Sequence, residues 1–453
     1  MLVLKESRRL RYFTFCFLYI MQGLPAGFRA DTIYNYLVEK GLTAEAVGSF
    51  VFLVGLPWSF QFVWGPVVDR FQVSVIGQRK QWVVLTQLVA VAASLGLLVI
   101  RDPVAELGLM SALFLVHSLF ASIQDTSVDA MAIGVTPEAE RGRLNALMRI
   151  GFLLGTSLGA AGLAPVLHYY GFQRAALLQS GVLLFFTVLT FFIRLDRTDR
   201  LLPAFLRGAR ARQLAARQQA RQATLALTPT LAPEAPTAHN QPLWTIFQEL
   251  ARSVWQPRSL RIYLCVWAVY LASTVFYSSY KFTLLHDLHY RAQAVSIIEG
   301  SWVNLLAVVV LLAGGWVSDR LGAVRLQRGV LVFVSLVFLT ISALHGSWAQ
   351  PAVGNGGLVA LNLIDPFMSV AALPLLMNLC DKRVAGSQFT AYMALINFGD
   401  VLGAKINGWA LSFTTAPMVG VGCAAIVLLS FCNLRRVRAE VPVSEPRGNL
   451  AAA

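Results

Sequence analysis

The sequence predicts an all-α integral membrane protein with twelve transmembrane helices in two pseudo-symmetric six-helix bundles. Three observations carry this. Residues 65–70 read Gly-Pro-Val-Val-Asp-Arg and residues 315–320 read Gly-Trp-Val-Ser-Asp-Arg, a repeat at an offset of 250 in which each copy ends a long apolar stretch. Gly142, Gly155 and Gly159 recur as Gly386, Gly399 and Gly403, at an offset of 244. The chain is 57% hydrophobic and only 13% charged, with a mean hydropathy of +0.62, too little charge to cover a water-facing surface. A duplicated bundle with the same charged turn in each half is a common build of secondary transporters, and it puts the site between the halves.

Apolar segments long enough to cross ~30 Å of hydrocarbon as helices lie near 11–37, 46–68, 82–100, 107–132, 144–168 and 174–194 in the first half. In the second half they lie near 260–286, 294–317, 328–346, 355–379, 388–412 and 414–434. The predicted organisation is a six-helix bundle at 1–195, a cytoplasmic central loop at 196–258, a second bundle at 259–435 and a cytoplasmic tail at 436–453. The start has the basic-then-apolar pattern of a leader peptide. The first segment has its counterpart at 260–286, however, so it reads as a retained helix. In the central loop, Arg207, Arg210, Arg217 and Arg221 fall on one helical face, and Thr228 to Pro242 carries four prolines. That composition reads as a solvated linker between the bundles.

The net charge of +14 is a topology signal and not a nucleic-acid footprint. With the N-terminus inside, 29 of the 37 Lys and Arg fall in inner segments and four (Lys40, Arg101, Arg174, Arg291) in outer ones. This follows the positive-inside rule and places both termini in the cytoplasm. The five cysteines lie in helices or at their inner ends, which fits neither a disulfide framework nor a zinc site. No phosphate-binding lysine loop is present, so ATP-driven pumping has no support, and neither a cofactor nor a metal is expected. Gly155-Thr-Ser-Leu-Gly159 matches the nucleophile elbow of hydrolases, but it lies in an apolar helix. Small residues at Gly151, Gly155 and Gly159 read better as a close helix contact.

The interior charges carry the functional argument, because ionisable groups in a membrane face a cavity or one another. Arg29 and Asp31 follow a weak point at Gly23-Leu-Pro25, and the offset of 250 sets Asp31 opposite Lys281 on the equivalent helix of the second half. They either pair directly or together grip a charged solute. Arg29, Lys281 and Lys405, with Tyr280 and Asn397 among the interior aromatic and amide side chains, are the candidate substrate-binding residues. Asp31, Glu299 and Asp400 are the candidate proton carriers. Asp125 and Asp129 share one helix face, and Asp365 matches Asp125 at an offset of 240. The two acids are expected to hold a gate with nearby arginines. The gating set is Asp69, Arg70, Asp125, Asp129, Arg141, Arg149, Asp319 and Arg320, with the repeated Asp-Arg turns acting as latches. The expected partners are a small-molecule solute, protons and lipid around a monomer.

At these residues the chain resembles the major facilitator superfamily, and within it AmpG-type muropeptide permeases, with the acetyl-CoA transporter family as a relative. The carrying residues are Gln22-Gly-Leu-Pro25, Phe62-Val-Trp64-Gly-Pro66-Val-Val-Asp69-Arg70 and Gly77-Gln-Arg-Lys-Gln-Trp82. Gln124-Asp125, Asp129-Ala130 and Glu140-Arg141-Gly142 continue them. The resemblance implies proton-coupled import of cell-wall recycling fragments, GlcNAc-anhydro-MurNAc and its peptides, across a bacterial inner membrane. The alternatives are a carrier for another solute, such as an acyl-CoA or drug-like compound, and a membrane-embedded transferase. A transferase would need a clustered acid–base pair, for which Asp125 and Asp129 lack a companion histidine.

The charge asymmetry sets a topology that labelling can test. In a cysteine-free background, Ala215→Cys is expected to resist an impermeant thiol reagent added outside intact cells, and Gln350→Cys to react. The reverse pattern would overturn the orientation.

Overall fold

The computed structural model describes residues 3–70, 76, 79–196, 199, 248, 257–377 and 385–436. Among them the chain is helical throughout, with one isolated bridge between Val3 and Arg194. In chain order, α1 spans 8–39, α2 44–70, α3 Lys80–Gly96, α4 Leu107–Val135, α5 138–170 and α6 Phe172–Phe192. The second half follows with α7 Pro257–His286, α8 292–321, α9 Ala323–Ala343, α10 351–377, α11 Ala385–Ala410 and α12 Ala416–Arg436. Ten of these are long and apolar enough to cross a membrane. The two others are α1 and α11, and they carry Arg29 with Asp31 and Asp400 with Lys405. The helices fall in the expected segments and in their order, and ten of them match in apolar length.

Local sequence sets the ends. The Ser7 hydroxyl accepts the Leu10 amide at 3.3 Å and starts α1, and Thr43 does the same for Ala46 at 3.2 Å ahead of α2. Gly171 (φ +85) turns α5 directly into α6, and Gly322 (φ +79) turns α8 into α9, a backbone region that only glycine enters without strain. The weak point expected at Gly23-Leu-Pro25 is displaced: the α-helix continues through Pro25 to Gly27, and the irregularity falls next, as a π-turn over Phe28–Ile33. Two more π-turns occur, at Leu158–Gly162 in α5 and Glu299–Val303 in α8.

Packing bears out the repeat. In the first half α5 lies flat on α1: a methyl on Gly155 would stand 2.3 Å from the Ile20 carbonyl oxygen, and one on Gly159 2.1 Å from that of Leu24. In the second half the matching Gly399 and Gly403 bring α11 onto α7, against Trp267 and against Thr274 with the Leu271 carbonyl. The hydrolase-like motif is therefore a helix contact. A second correspondence was not legible in advance. Lys80, opening α3, donates to the carbonyls of Phe191 (2.8 Å) and Ile193 (2.5 Å) at the end of α6. Arg328, in the first turns of α9, donates to the Leu434 carbonyl (3.2 Å) near the end of α12. In each half a base thus satisfies carbonyls that a helix end leaves open.

Two seams join the halves. Gly48 sits against the Ala404 carbonyl and Gly408 against Ala44 and Glu45, which locks α2 to α11. Gly300 sits against Ala160 and Ala161, and Asn304 donates to Thr156 (3.0 Å) and Ser157 (2.9 Å), which locks α8 to α5. One apolar core runs the length of the second half, from Ile262 and Leu434 to Tyr280 and Val295, and takes in the first half at the end predicted to face outward, through Phe28, Leu37 and Phe50. At the other end the first half packs a core of its own around Phe15, Phe17, Val128 and Leu144.

The α1–α5 contact is steric and can be tested directly. Gly155→Ala forces its methyl into a backbone oxygen and is expected to cost ~1–3 kcal/mol. Gly181→Ala, with nothing within 4 Å of the added carbon, should be neutral or gain ~0.5–1 kcal/mol. Thermal unfolding in detergent reads both, and equal effects would reject the close contact.

Candidate substrate and coupling site

The site grows from the π-turn in α1. A π-turn widens the helix and leaves carbonyls without their usual partners. Here Thr32 Oγ1 donates to the Gly159 carbonyl at 2.9 Å and the Ala160 carbonyl at 3.0 Å, so the α1 π-turn satisfies carbonyls of the α5 π-turn. The same α1 turn carries Arg29 and Asp31. The α8 π-turn begins with Glu299. Each turn therefore delivers an ionisable group to the seam between the halves.

Lys281 of α7 meets both. Its Nζ lies 2.9 Å from Glu299 Oε1 and 3.5 Å from Asp31 Oδ1. It also donates to Tyr277 Oη at 3.3 Å and stands 4.5 Å over the Tyr34 ring. Glu299 is held further by Asn35 Nδ2 at 3.0 Å and by the Tyr277 hydroxyl, and Asn35 also donates to Ser296 at 2.8 Å. The side chains of Lys281 and Glu299 are each 2% exposed, whereas that of Asp31 is 22% exposed. The repeat thus brings Asp31 to Lys281. The stronger partner, however, is Glu299, eighteen residues on and past a helix turn, which the offset could not reveal.

The other expected site residues divide. Arg29 is half-buried, has no hydrogen bond or ion pair among the described residues, and lies within electrostatic reach of Asp31 and of the buried His117. Asp400 accepts from Thr274 Oγ1 of α7 at 2.8 Å, and Asp365 lies within its electrostatic reach. Lys405 donates to Ser49 Oγ at 2.6 Å and Asn397 Nδ2 to the Trp58 carbonyl at 3.5 Å, both across the α2–α11 seam. Tyr280 stands apart from the cluster. It is fully buried within the second half, donates to the Gly354 carbonyl at 2.9 Å, and lines an apolar cavity of about 250 Å³ with Ile341, Trp348 and Val353.

Of the expected gating residues, Asp129 accepts from the Tyr19 hydroxyl and Asp125 from Gln61 Nε2 at 2.5 Å. Their described partners are neutral donors on α1 and α2, and none is an arginine. Neither glutamine nor tyrosine carries a formal charge, so charge counting along the sequence passes over them. Arg149 is exposed, with its guanidinium 5.7 Å from the Phe152 ring. Arg320 lies 3.6 Å over the ring of Trp316, and both are exposed. The side chains of Asp69, Arg70, Arg141 and Asp319 lie outside the described ones, as do residues 200–247 of the central loop and the tail after Arg436.

An all-helical membrane bundle of two like halves, with its buried charges gathered at the seam, has the architecture of a carrier. The Major Facilitator Superfamily model matches residues 12–404, and the chain belongs to that family. It is 27% identical over 429 residues to the anhydromuropeptide permease of Escherichia coli (strain K12), across 91% of this chain and 77% of that protein. It is 18% identical over 401 residues to the putative transporter AmpG 1 of Rickettsia bellii (strain RML369-C), across 85% and 89%. Among solved structures, a peptide transporter POT in complex with alafosfalin superposes with a TM-score of 0.63 at 16% identity over 94% of each chain. The nucleoside transporter NupG superposes with a TM-score of 0.65 at 12% identity, over 94% of this chain and 99% of that one. The protein is a multi-pass membrane transporter and not an enzyme, and it resembles AmpG-type permeases as the motifs in its first half implied.

The cluster makes an ordered prediction for stability. Lys281→Gln leaves two carboxylates without their cation and is expected to cost ~3–5 kcal/mol. Glu299→Gln should cost less, and Asp31→Asn, with its 3.5 Å contact and partial exposure, least. Adding Asp31→Asn to Lys281→Gln should recover part of the loss. Thermal unfolding in detergent tests this, and strictly additive losses would show that the two charges act apart.

Proposed function

We propose that this protein imports anhydro-muropeptides, or closely related anionic cell-wall fragments, into the bacterial cytoplasm together with protons, by alternating access of its two halves. All twelve helices cross the inner membrane in this reading, with both termini and the central loop cytoplasmic. The carrying observation is the cluster of Lys281, Glu299, Asp31 and Arg29, because it joins the halves through groups that a proton and an anion can rearrange. The similarity along 91% of the chain to an anhydromuropeptide permease supports the solute class.

The coupling follows from charge balance. Lys281 and Glu299 neutralise each other in a dry, fully bonded setting. Asp31 is the looser acid, 3.5 Å from Lys281 and partly exposed, and the half-buried Arg29 lies within its electrostatic reach without a direct bond. A proton on Asp31 removes the charge that opposes Arg29, so the guanidinium is free to take an anionic group of the solute. Proton and anion then favour each other's binding reciprocally, as a symporter requires. The shared apolar core at the outer end and the separate core at the inner end support an inward-facing arrangement, from which solute leaves to the cytoplasm.

Purified protein in liposomes with an inward proton gradient is expected to accumulate labelled anhydro-muropeptide, and a protonophore to abolish the accumulation. Asp31→Asn should still exchange solute across the membrane but no longer concentrate it. Gradient-driven accumulation by Asp31→Asn at the wild-type level would move the proton to another carboxylate, and absence of any muropeptide flux in the wild type would reject the solute.

A further inference from the structure

Of the basic side chains, Arg29, Arg149, Lys281 and Lys405 lie well inside the expected membrane spans, and the structure leaves two of these without a direct partner among the described residues. Lys281 is held by Glu299 and Asp31, and Lys405 bonds Ser49. Arg29 and Arg149 make no hydrogen bond or ion pair there. A desolvated guanidinium in a membrane protein is costly, so an unpaired one is kept where water or a ligand reaches it. Arg149 is exposed and Arg29 is half-buried.

Both belong to the first half. Arg149 lies within electrostatic reach of Tyr19 on α1, Tyr270 on α7 and Asp365 on α10, which places its head toward the space between the halves. Asp365 is itself exposed although it lies within a helix of the bundle. Arg29 lies on α1, beside the cluster that closes the other end of this space. The α1–α5 register fixes the axial spacing of their backbone positions. Gly27 rests against Thr156, and Thr32 reaches the carbonyls of Gly159 and Ala160. Arg29 is therefore level with residues 157–159 of α5, roughly nine residues along from Arg149, or ~14 Å at 1.5 Å per residue.

From this we infer that Arg29 and Arg149 are the two poles of a solute site for an elongated dianion, with negative groups about 14 Å apart. Arg29 takes the anion near the proton-linked cluster. Arg149 takes the second, with Asp365 within electrostatic reach but not bonded to it. A guanidinium suits this role because it grips a carboxylate with two parallel hydrogen bonds. The inference deepens the proposed function and rests on it for the identity of the solute. In a muropeptide both anions would be carboxylates of the peptide stem, because the sugar's lactyl carboxyl is taken up in the amide to that stem. The peptide-free disaccharide keeps that one carboxylate alone, which goes to Arg29 and leaves Arg149 unused. Specificity for the peptide would then reside at Arg149, away from the proton-linked group.

Two measurements separate this inference from the reading beneath it. The first is liposome uptake of anhydro-muropeptide and of peptide-free GlcNAc-anhydro-MurNAc. Arg149→Gln is expected to raise KM tenfold or more for the peptide-bearing solute and to leave KM for the disaccharide within about twofold. Arg29→Gln should raise KM for both, and Arg149→Lys should restore part of the loss. Arg149→Gln lowering the maximal rate for both solutes at unchanged KM would make it a gating residue and overturn the inference. The second measurement needs no muropeptide. Succinyl-oligoprolines with a free C-terminus carry a carboxylate at each end of a stiff rod of ~3.1 Å per residue. Their binding to detergent-purified protein, read by thermal shift, is expected to peak near three prolines, because the succinyl arm adds ~5 Å to the rod, and the peak should vanish in Arg149→Gln. A length optimum in a wild type that moves no muropeptide would keep the dianion site and reject the solute. Muropeptide uptake with no length optimum and no effect of Arg149→Gln would reject the dianion site and keep the solute.

Discussion

The ammonium of Lys281 is the group on which the seam depends. An isolated charge in a medium without water is too costly to keep, and the structure meets that cost with groups from three helices. Glu299 comes from α8, Asp31 from α1, and the rings of Tyr34 and Tyr277 stand close to the ammonium. One consequence is mechanical. Separating the halves at this end removes Asp31 and Asn35 from a cation and a carboxylate that stay in the second half. The opening of the outer end is therefore tied to the ionic state of a few atoms. The apolar core that crosses the seam here adds a non-specific adhesion of the same region.

The backbone is prepared for this at some distance. Three π-turns were found among the described residues, two of which carry Arg29, Asp31 and Glu299, while the third lies against the first. Irregular backbone in a membrane is tolerated where its polar groups find protein partners. Thr32 supplies them for α5, and the glycines of α5 bring the two helices close enough for its hydroxyl to reach. A tight contact made of backbone against backbone thus supports a wide turn, and the wide turn presents the charges.

Much of the fold was legible in the sequence because membrane helices announce themselves by apolar length, and duplication by fixed offsets. The Asp31–Lys281 approach followed from an offset alone, since equivalent helices face each other across a two-fold axis. What stayed hidden depends on where a side chain lies across a turn or around a helix. Glu299 reaches Lys281 through the loop joining α7 to α8, and no repeat marks it. Tyr280 has the composition of a binding residue, yet one residue of helical rotation beside Lys281 turns it into the second half, against Gly354 and Gly357. Tyr19 and Gln61 were missed as partners of Asp129 and Asp125 because arginines were the more obvious counter-ions. The π-turns have no signature in hydropathy, and Pro25 pointed to a break one turn too early.

The two halves agree in their glycines and differ in their charges, and that difference bears on function. Gly155 and Gly159 match Gly399 and Gly403 in sequence and in packing. At the same offset of 244, Arg149 corresponds to Met393, and Asp400 to Thr156. Small residues are held in register because both halves must bring the same pairs of helices together. Nothing in that requirement fixes the chemistry facing the space between them. A site with true two-fold symmetry would bind a solute equally well in either of two orientations. Here the first half contributes the unpaired guanidinium groups of Arg29 and Arg149. The second half contributes Asp365 and Asp400, and its Glu299 is neutralised by Lys281. The two walls of the space between the halves thus carry different charges. Duplication supplies the like pairs of packed helices, and the loss of symmetry at a handful of side chains makes the two walls between them chemically unlike.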